Sequence, residues 1–161
     1  MVEVKELLYI DAENFFKYIA ESVAYDISEA TGKNIRPKQI KKGFSYKKIM
    51  KNKVKRKGEV KVTITDFDVP HLYRAEFSSA TGINVISYEV EELDDGRIGV
   101  TYIEDYKGIS KSKDLNFKLM SLFYKGKAAK RATKLLRAIE QYAQEEKGKK
   151  ESQEIAAEGI E

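Results

Sequence analysis

The sequence predicts an α+β fold in which a curved antiparallel sheet of about six strands wraps round a long C-terminal helix. Three observations carry that expectation. Residues 44–107 form a series of stretches in which apolar and polar residues alternate, separated by turn signals. A helical stretch divides this series from one short aliphatic strand at the start. A proline-free run from Lys113 to Glu146 keeps an apolar stripe at helical spacing.

Val2 to Ile10 is short, β-branched and aliphatic, and reads as the first strand. Asp11 is a good N-cap, with Glu13 in the first turn where the helix dipole favours a negative charge. From Ala12 to about Ala30 the residues Phe16, Ile19, Ala20, Val23, Ile27 and Ala30 recur on one helical face, and Thr31-Gly32 supplies the stop. Residues 33–43, with Pro37 and Gly43, suit a loop or one short helix. Phe44 to Met50 is the next strand, and Glu59 to Phe67 sets Val60, Val62 and Ile64 on one face. Asp68-Val69-Pro70 turns the chain into Leu72–Ser78, with Tyr73, Ala75 and Phe77 inward. Thr81-Gly82 turns it again into Ile83–Glu92, where Ile86, Tyr88 and Val90 share a face. After the hairpin signal Asp94-Asp95-Gly96, Arg97 to Lys107 aligns Ile98, Val100, Tyr102, Glu104 and Tyr106. Tight turns between successive strands mean an antiparallel meander with one buried face. The terminal helix, striped with Phe117, Met120, Tyr124, Ala128, Leu135, Ile139 and Tyr142, is the one element long enough to cover it. Gly126 is expected to mark a kink or a close approach to the sheet. One domain over residues 1–146 is expected, followed by a charged, disordered tail over 147–161.

Composition closes several routes. The 161 residues contain no cysteine and one histidine, so disulfides, thiolate metal sites and multi-histidine centres have nothing to be built from. His71, beside Pro70, reads as a turn residue. Gly96-Arg97-Ile98-Gly99 and Thr31-Gly32-Lys33 fall short of a phosphate loop, and Ser78-Ser79 has no nucleophile-elbow spacing, so no cofactor is implied. Residues 1–6 are charged where a signal peptide would carry its apolar run, and no apolar run approaches the ~20 residues that span a bilayer. A cytoplasmic location is expected.

The order of elements is the helix-grip arrangement, and the residues carry a resemblance to match. Leu8-Tyr9-Ile10-Asp11-Ala12-Glu13-Asn14-Phe15-Phe16 is similar to the opening of the START and birch-pollen-allergen (SRPBCC) superfamily. More narrowly, the chain resembles a small Firmicutes family catalogued as domain of unknown function 3284. That likeness rests on Phe15-Phe16 with Ser22 and Asp26-Ile27, Thr31-Gly32-Lys33, Gly43-Phe44-Ser45-Tyr46, Tyr88-Glu89-Val90 and Val100-Thr101-Tyr102-Ile103-Glu104. It covers roughly residues 2–142. The narrower family implies no established activity. The superfamily implies a cavity between sheet and helix that takes up hydrophobic or amphipathic small molecules.

The candidate cavity residues are Tyr46, Tyr88, Tyr102 and Glu104 on the sheet and Phe117, Met120 and Tyr124 on the helix. Tyr102, Glu104 and Tyr106 alternate on one strand, so an inward face would place a carboxyl among tyrosines, able to orient a ligand or serve as acid or base. A glutamate in a strand's last third also commonly faces solvent, and core packing explains Tyr46 and Tyr88 equally well.

Charge suggests a second function. The net +4 conceals ten Lys/Arg and no acid over residues 38–58, and ten against Asp114 alone over 107–137. Seven acids with Arg97 over 84–106, and seven acids with three lysines over 140–161, oppose them. A solvated basic face accounts for this, and so does docking on an anionic membrane surface or an acidic protein partner. Nucleic acid is disfavoured, because lysine outnumbers arginine and exposed aromatics for base stacking are not evident.

Overall fold

The computed structural model describes residues 1–51, 57–108 and 115–159, with the backbone alone for Lys51 and residues 115–124. In chain order the elements are β1 (Val2–Leu8), α1 (Ala12–Thr31), a 3-10 turn (Pro37–Gln39), β2 (Ser45–Lys51), β3 (Lys57–Asp68), β4 (Leu72–Ser79), β5 (Gly82–Glu92), β6 (Ile98–Gly108) and α2 (Leu115–Glu158). The strands form one sheet in the order β1-β6-β5-β4-β3-β2, each pair antiparallel. β2 to β6 are a continuous meander, and β1 closes the sheet by pairing with the last strand. This is the α+β helix-grip fold that the element order predicts.

Alternation does what the pattern requires. Val60, Val62 and Ile64 of β3, and Ile98, Val100, Tyr102 and Glu104 of β6, are buried. The register is interrupted once, between Ile64 and Asp66. That bulge reverses the parity of β3. Asp66 pairs with Arg74 and forms an ion pair with it at 2.8 Å, while Phe67 comes opposite the inward Tyr73. The even-numbered inner face of β3 thus continues on an odd-numbered residue.

α1 starts where its cap predicts: Asp11 Oδ1 accepts from the Asn14 amide at 2.8 Å. It ends at Gly32, whose φ of 70° is the left-handed conformation that closes a helix. Phe15, Phe16, Ile19 and Ile27 are buried against the sheet's inner residues, including Ile64, Tyr73, Tyr88 and Val100, in one core cluster.

α2 buries Ala128, Ala132, Leu136 and Ile139, a run at i, i+4, i+8 and i+11. This corrects the expected stripe. Leu136 is fully enclosed while Leu135 is 39% exposed, and Tyr142 is largely exposed. Among the described residues nothing lies within 4 Å of a Cβ built on Gly126, so the close approach expected there is absent. The helix is tied to β1 by polar contacts: Arg137 Nη2 pairs with Glu6 at 2.5 Å, and the Tyr9 amide donates to Glu140 Oε2 at 2.7 Å. Helix continues to Glu158, where the sequence predicts a disordered tail. Its Glu, Lys, Gln and Ala content favours helix, and residues 147–158 are exposed all round. Among the described residues no helix is long and apolar enough to cross a membrane.

Candidate functional site

The inner face of the sheet is built in rows, because antiparallel register sets one inward residue of each strand beside the next. One row is aromatic. Phe67 of β3, Tyr73 of β4, Tyr88 of β5 and Tyr102 of β6 follow one another with ring-centroid distances of 6.3, 6.2 and 5.2 Å. Phe15 and Phe16 of α1 close on it, 6.2 Å from Tyr88 and 5.4 Å from Phe67. These tilted and edge-on geometries suit the ring quadrupoles. Three hydroxyls belong to this row, and only that of Tyr102 has a protein partner in the hydrogen bonds of the described residues.

The neighbouring row runs Ile64, Ala75, Ile86, Glu104 and Val2. Glu104 is its one ionisable residue and is 8% exposed, so it faces inward. Tyr102 Oη donates to Glu104 Oε2 at 3.0 Å, and Asn84 Nδ2 donates to Glu104 Oε1 at 3.0 Å. These contacts follow from strand geometry: Tyr102 is two residues away on the same face, and Asn84 lies diagonally across on β5. Asn84 Oδ1 is buried and has no hydrogen-bond partner. Tyr106, expected on the same face, is 48% exposed at the rim, where its hydroxyl donates to the Thr81 carbonyl at 3.0 Å.

A second polar group sits toward the other edge of the sheet. Tyr46 Oη donates to Asp26 Oδ2 at 2.5 Å, and Lys48 Nζ reaches the same carboxylate at 2.9 and 3.1 Å. Tyr46 and Lys48 are alternate residues of β2, and Asp26 stands near the end of α1. Lys48 Nζ also lies 5.5 Å from the Phe77 ring centroid, within cation–π range.

The buried phenols keep their protons. Burial pushes Tyr46 far above the ordinary tyrosine range, reinforced by its hydrogen bond to Asp26 and that residue's charge. Burial likewise raises Tyr73, helped by Tyr88 and Asp26, and raises Tyr88, helped by Glu104 and Tyr18. All three offer neutral O–H groups, able to donate or accept a hydrogen bond but not to act as phenolate nucleophiles near neutral pH.

Tyr46, Tyr88, Tyr102 and Glu104 therefore share one concave face, with Tyr88, Tyr102 and Glu104 in direct proximity. Phe117, Met120 and Tyr124 lie in the first turns of α2, whose side chains fall outside the described residues. Sequence reasoning passed over Asn84, although extending the alternation of Ile86, Tyr88 and Val90 back by one step reaches it. It placed Tyr73 inward without reading its hydroxyl as a polar tip, and it named Asp26 only among the residues that carry the resemblance, with no role attached. Among the described residues no cluster of three or more His, Cys, Asp or Glu side chains could hold a metal ion.

Two clefts open outside this face. One of about 610 Å³ lies between the start of α1, the β5–β6 hairpin and α2, where Tyr18 and Tyr142 meet edge-on at 5.6 Å. The other, of about 440 Å³, includes His71, Glu89 and Thr101.

A family model described as "Domain of unknown function (DUF3284)" matches residues 2–125. No curated protein matches the sequence at a significant level. Among solved structures, a protein of unknown function from Staphylococcus aureus is 13% identical with a TM-score of 0.61, the match covering 92% of this chain and 94% of that one. A protein from Arthrobacter aurescens is 11% identical with a TM-score of 0.57, covering 87% and 85%. Ara h 8.0201 is 11% identical with a TM-score of 0.56, covering 89% and 96%. At these identities the likeness is one of fold, the birch-pollen-allergen-like helix grip.

Proposed function

The chain belongs to the domain-of-unknown-function family DUF3284, and from that premise we propose that it is a non-catalytic binder of a hydrophobic or amphipathic small molecule held between the sheet and α2. The observation that carries the reading is the aromatic row. Tyr73 and Tyr88 are 6% and 8% exposed, yet neither hydroxyl has a protein hydrogen-bond partner among the described residues. Asn84 Oδ1 is the one fully enclosed unpaired side-chain oxygen or nitrogen among the described residues, so these two hydroxyls retain accessible surface. Unpaired, accessible hydroxyls on an aromatic inner face fit a space where a ligand or water completes them. Phe15, Phe67 and Tyr102 supply apolar contact, and Glu104 with Asn84 supplies a polar end.

Native mass spectrometry and displacement of the lipophilic dye Nile red test this. The full chain is expected to take up the dye and release it to apolar competitors. Ile86, between Ala75 and Glu104 on the inner face, is the position to block: Ile86→Trp should lose dye uptake while remaining folded by circular dichroism. A wild-type chain that takes up neither dye nor any apolar competitor ends the reading.

A second reading follows from α2. Lys127, Lys130 and Lys134 recur at i, i+3 and i+7 with Arg131 beside them, all exposed, on the side of the helix opposite Ala128, Ala132 and Leu136. No ion pair engages these three lysines among the described residues. Such a stripe suits contact with an anionic lipid surface or an acidic protein.

A further inference from the structure

We infer that the occupant of the concave face presents a hydrogen-bond donor, an N–H or O–H, to Asn84 Oδ1, and that the site therefore selects against molecules whose polar end can only accept. The inference rests on the ligand-binding reading above and adds the chemistry of the ligand's polar end.

Asn84 Oδ1 is the one buried side-chain oxygen or nitrogen of the described residues with no partner. Its orientation is fixed by its own amide. Nδ2 donates to Glu104 Oε1 at 3.0 Å, and turning the amide over would set two oxygens against each other. The oxygen therefore points away from Glu104, and among the described residues the candidate donors around it are otherwise engaged or unsuitable. Phe77, across from Asn84 on β4, has no donor. Tyr106, across from it on β6, donates to the Thr81 carbonyl. Tyr102 donates to Glu104, and Lys48 is held by Asp26. An amide oxygen accepts and cannot donate, so only a donor brought from outside the described residues completes it.

A hydroxyl or primary amide meets that requirement, and an ester or ether oxygen does not. Leaving such an acceptor unpaired on complex formation costs a factor of roughly ten to a hundred in affinity. Tyr73 and Tyr88 do not select in this way, because a hydroxyl can turn to donate or accept. Asn84 is accordingly the residue that sets the preference.

The test is competition against Nile red on the full chain with a medium-chain alcohol, the primary amide and the methyl ester of matched length. The amide and alcohol are expected to displace dye at roughly tenfold lower concentration than the ester or below. Asn84→Leu should erase that gap while leaving ester displacement in place. If that variant fails to fold, the wild-type ladder alone decides. Equal displacement by all three overturns the inference, since water then satisfies Asn84, and leaves the binding reading intact. Failure of dye and all competitors to bind removes the binding reading and this inference together.

Discussion

Gly82 opens β5 with a φ of 156°, and a Cβ built there would overlap the carbonyl oxygen of Lys107 and approach Gly108 Cα to 2.9 Å. Neither neighbour is a flexible side-chain tip, so the backbone of β6 would have to move. Gly82→Ala should therefore destabilise the fold by ~2 kcal/mol or more, read as a lower midpoint in urea. A second residue-scale consequence concerns pH. Tyr46, Tyr73 and Tyr88 have folded-state pKa values raised above the unfolded value of about 10. Their stabilising contribution is complete below that pH. It declines as pH rises further, because the unfolded chain then loses protons that the folded chain keeps. Each contributes a slope of about −1.4 kcal/mol per pH unit there. Urea melts at pH 9 and above pH 10 should show a steep loss, and Tyr88→Phe should make it shallower. A stability flat through that range would contradict the burial of these phenols.

At the scale of elements, the strands were legible because alternation and turn chemistry are local properties of a few residues. Val60-Lys61-Val62 and Asp94-Asp95-Gly96 announce themselves whatever they pack against. Contacts between distant elements were not legible. Asp26 meets Tyr46 and Lys48 only because α1 crosses β2, and Phe67 turns inward only because the bulge before it reverses parity. The helix stripe failed for a related reason. Leu135 and Leu136 are adjacent, either can extend an apolar face, and the deciding neighbours are the small Ala128 and Ala132, whose spacing selects 136. The choice is measurable. Leu136→Ala removes a fully buried side chain and should cost about 3 kcal/mol, whereas Leu135→Ala should cost under ~1 kcal/mol. Reversed values would return the stripe to residue 135. Among the described residues, truncation after Glu146 removes only exposed ones and should leave the midpoint within the effect of Leu135→Ala.

For the whole molecule, the concave site and the charge distribution make separable demands, since one lies inside the grip and the other on the outer side of α2. The polarity concealed in a net +4 is the sequence feature with the longest reach. Part of it, residues 52–56, falls outside the described residues, so the test belongs on α2. Lysine near an anionic surface contributes about 1 kcal/mol each, and three aligned on one stripe should act together. If the stripe docks, the full chain should cosediment with phosphatidylglycerol-containing vesicles and not with phosphatidylcholine alone. Raising salt shortens the screening length from about 8 Å near physiological ionic strength toward 3 Å and should release it. Replacing Lys127, Lys130 and Lys134 by Ala should weaken binding by roughly a hundredfold while leaving Nile red uptake unchanged. Binding that survives high salt, or that the triple substitution leaves untouched, would make the stripe a solvated face and leave the concave site as the remaining functional proposal.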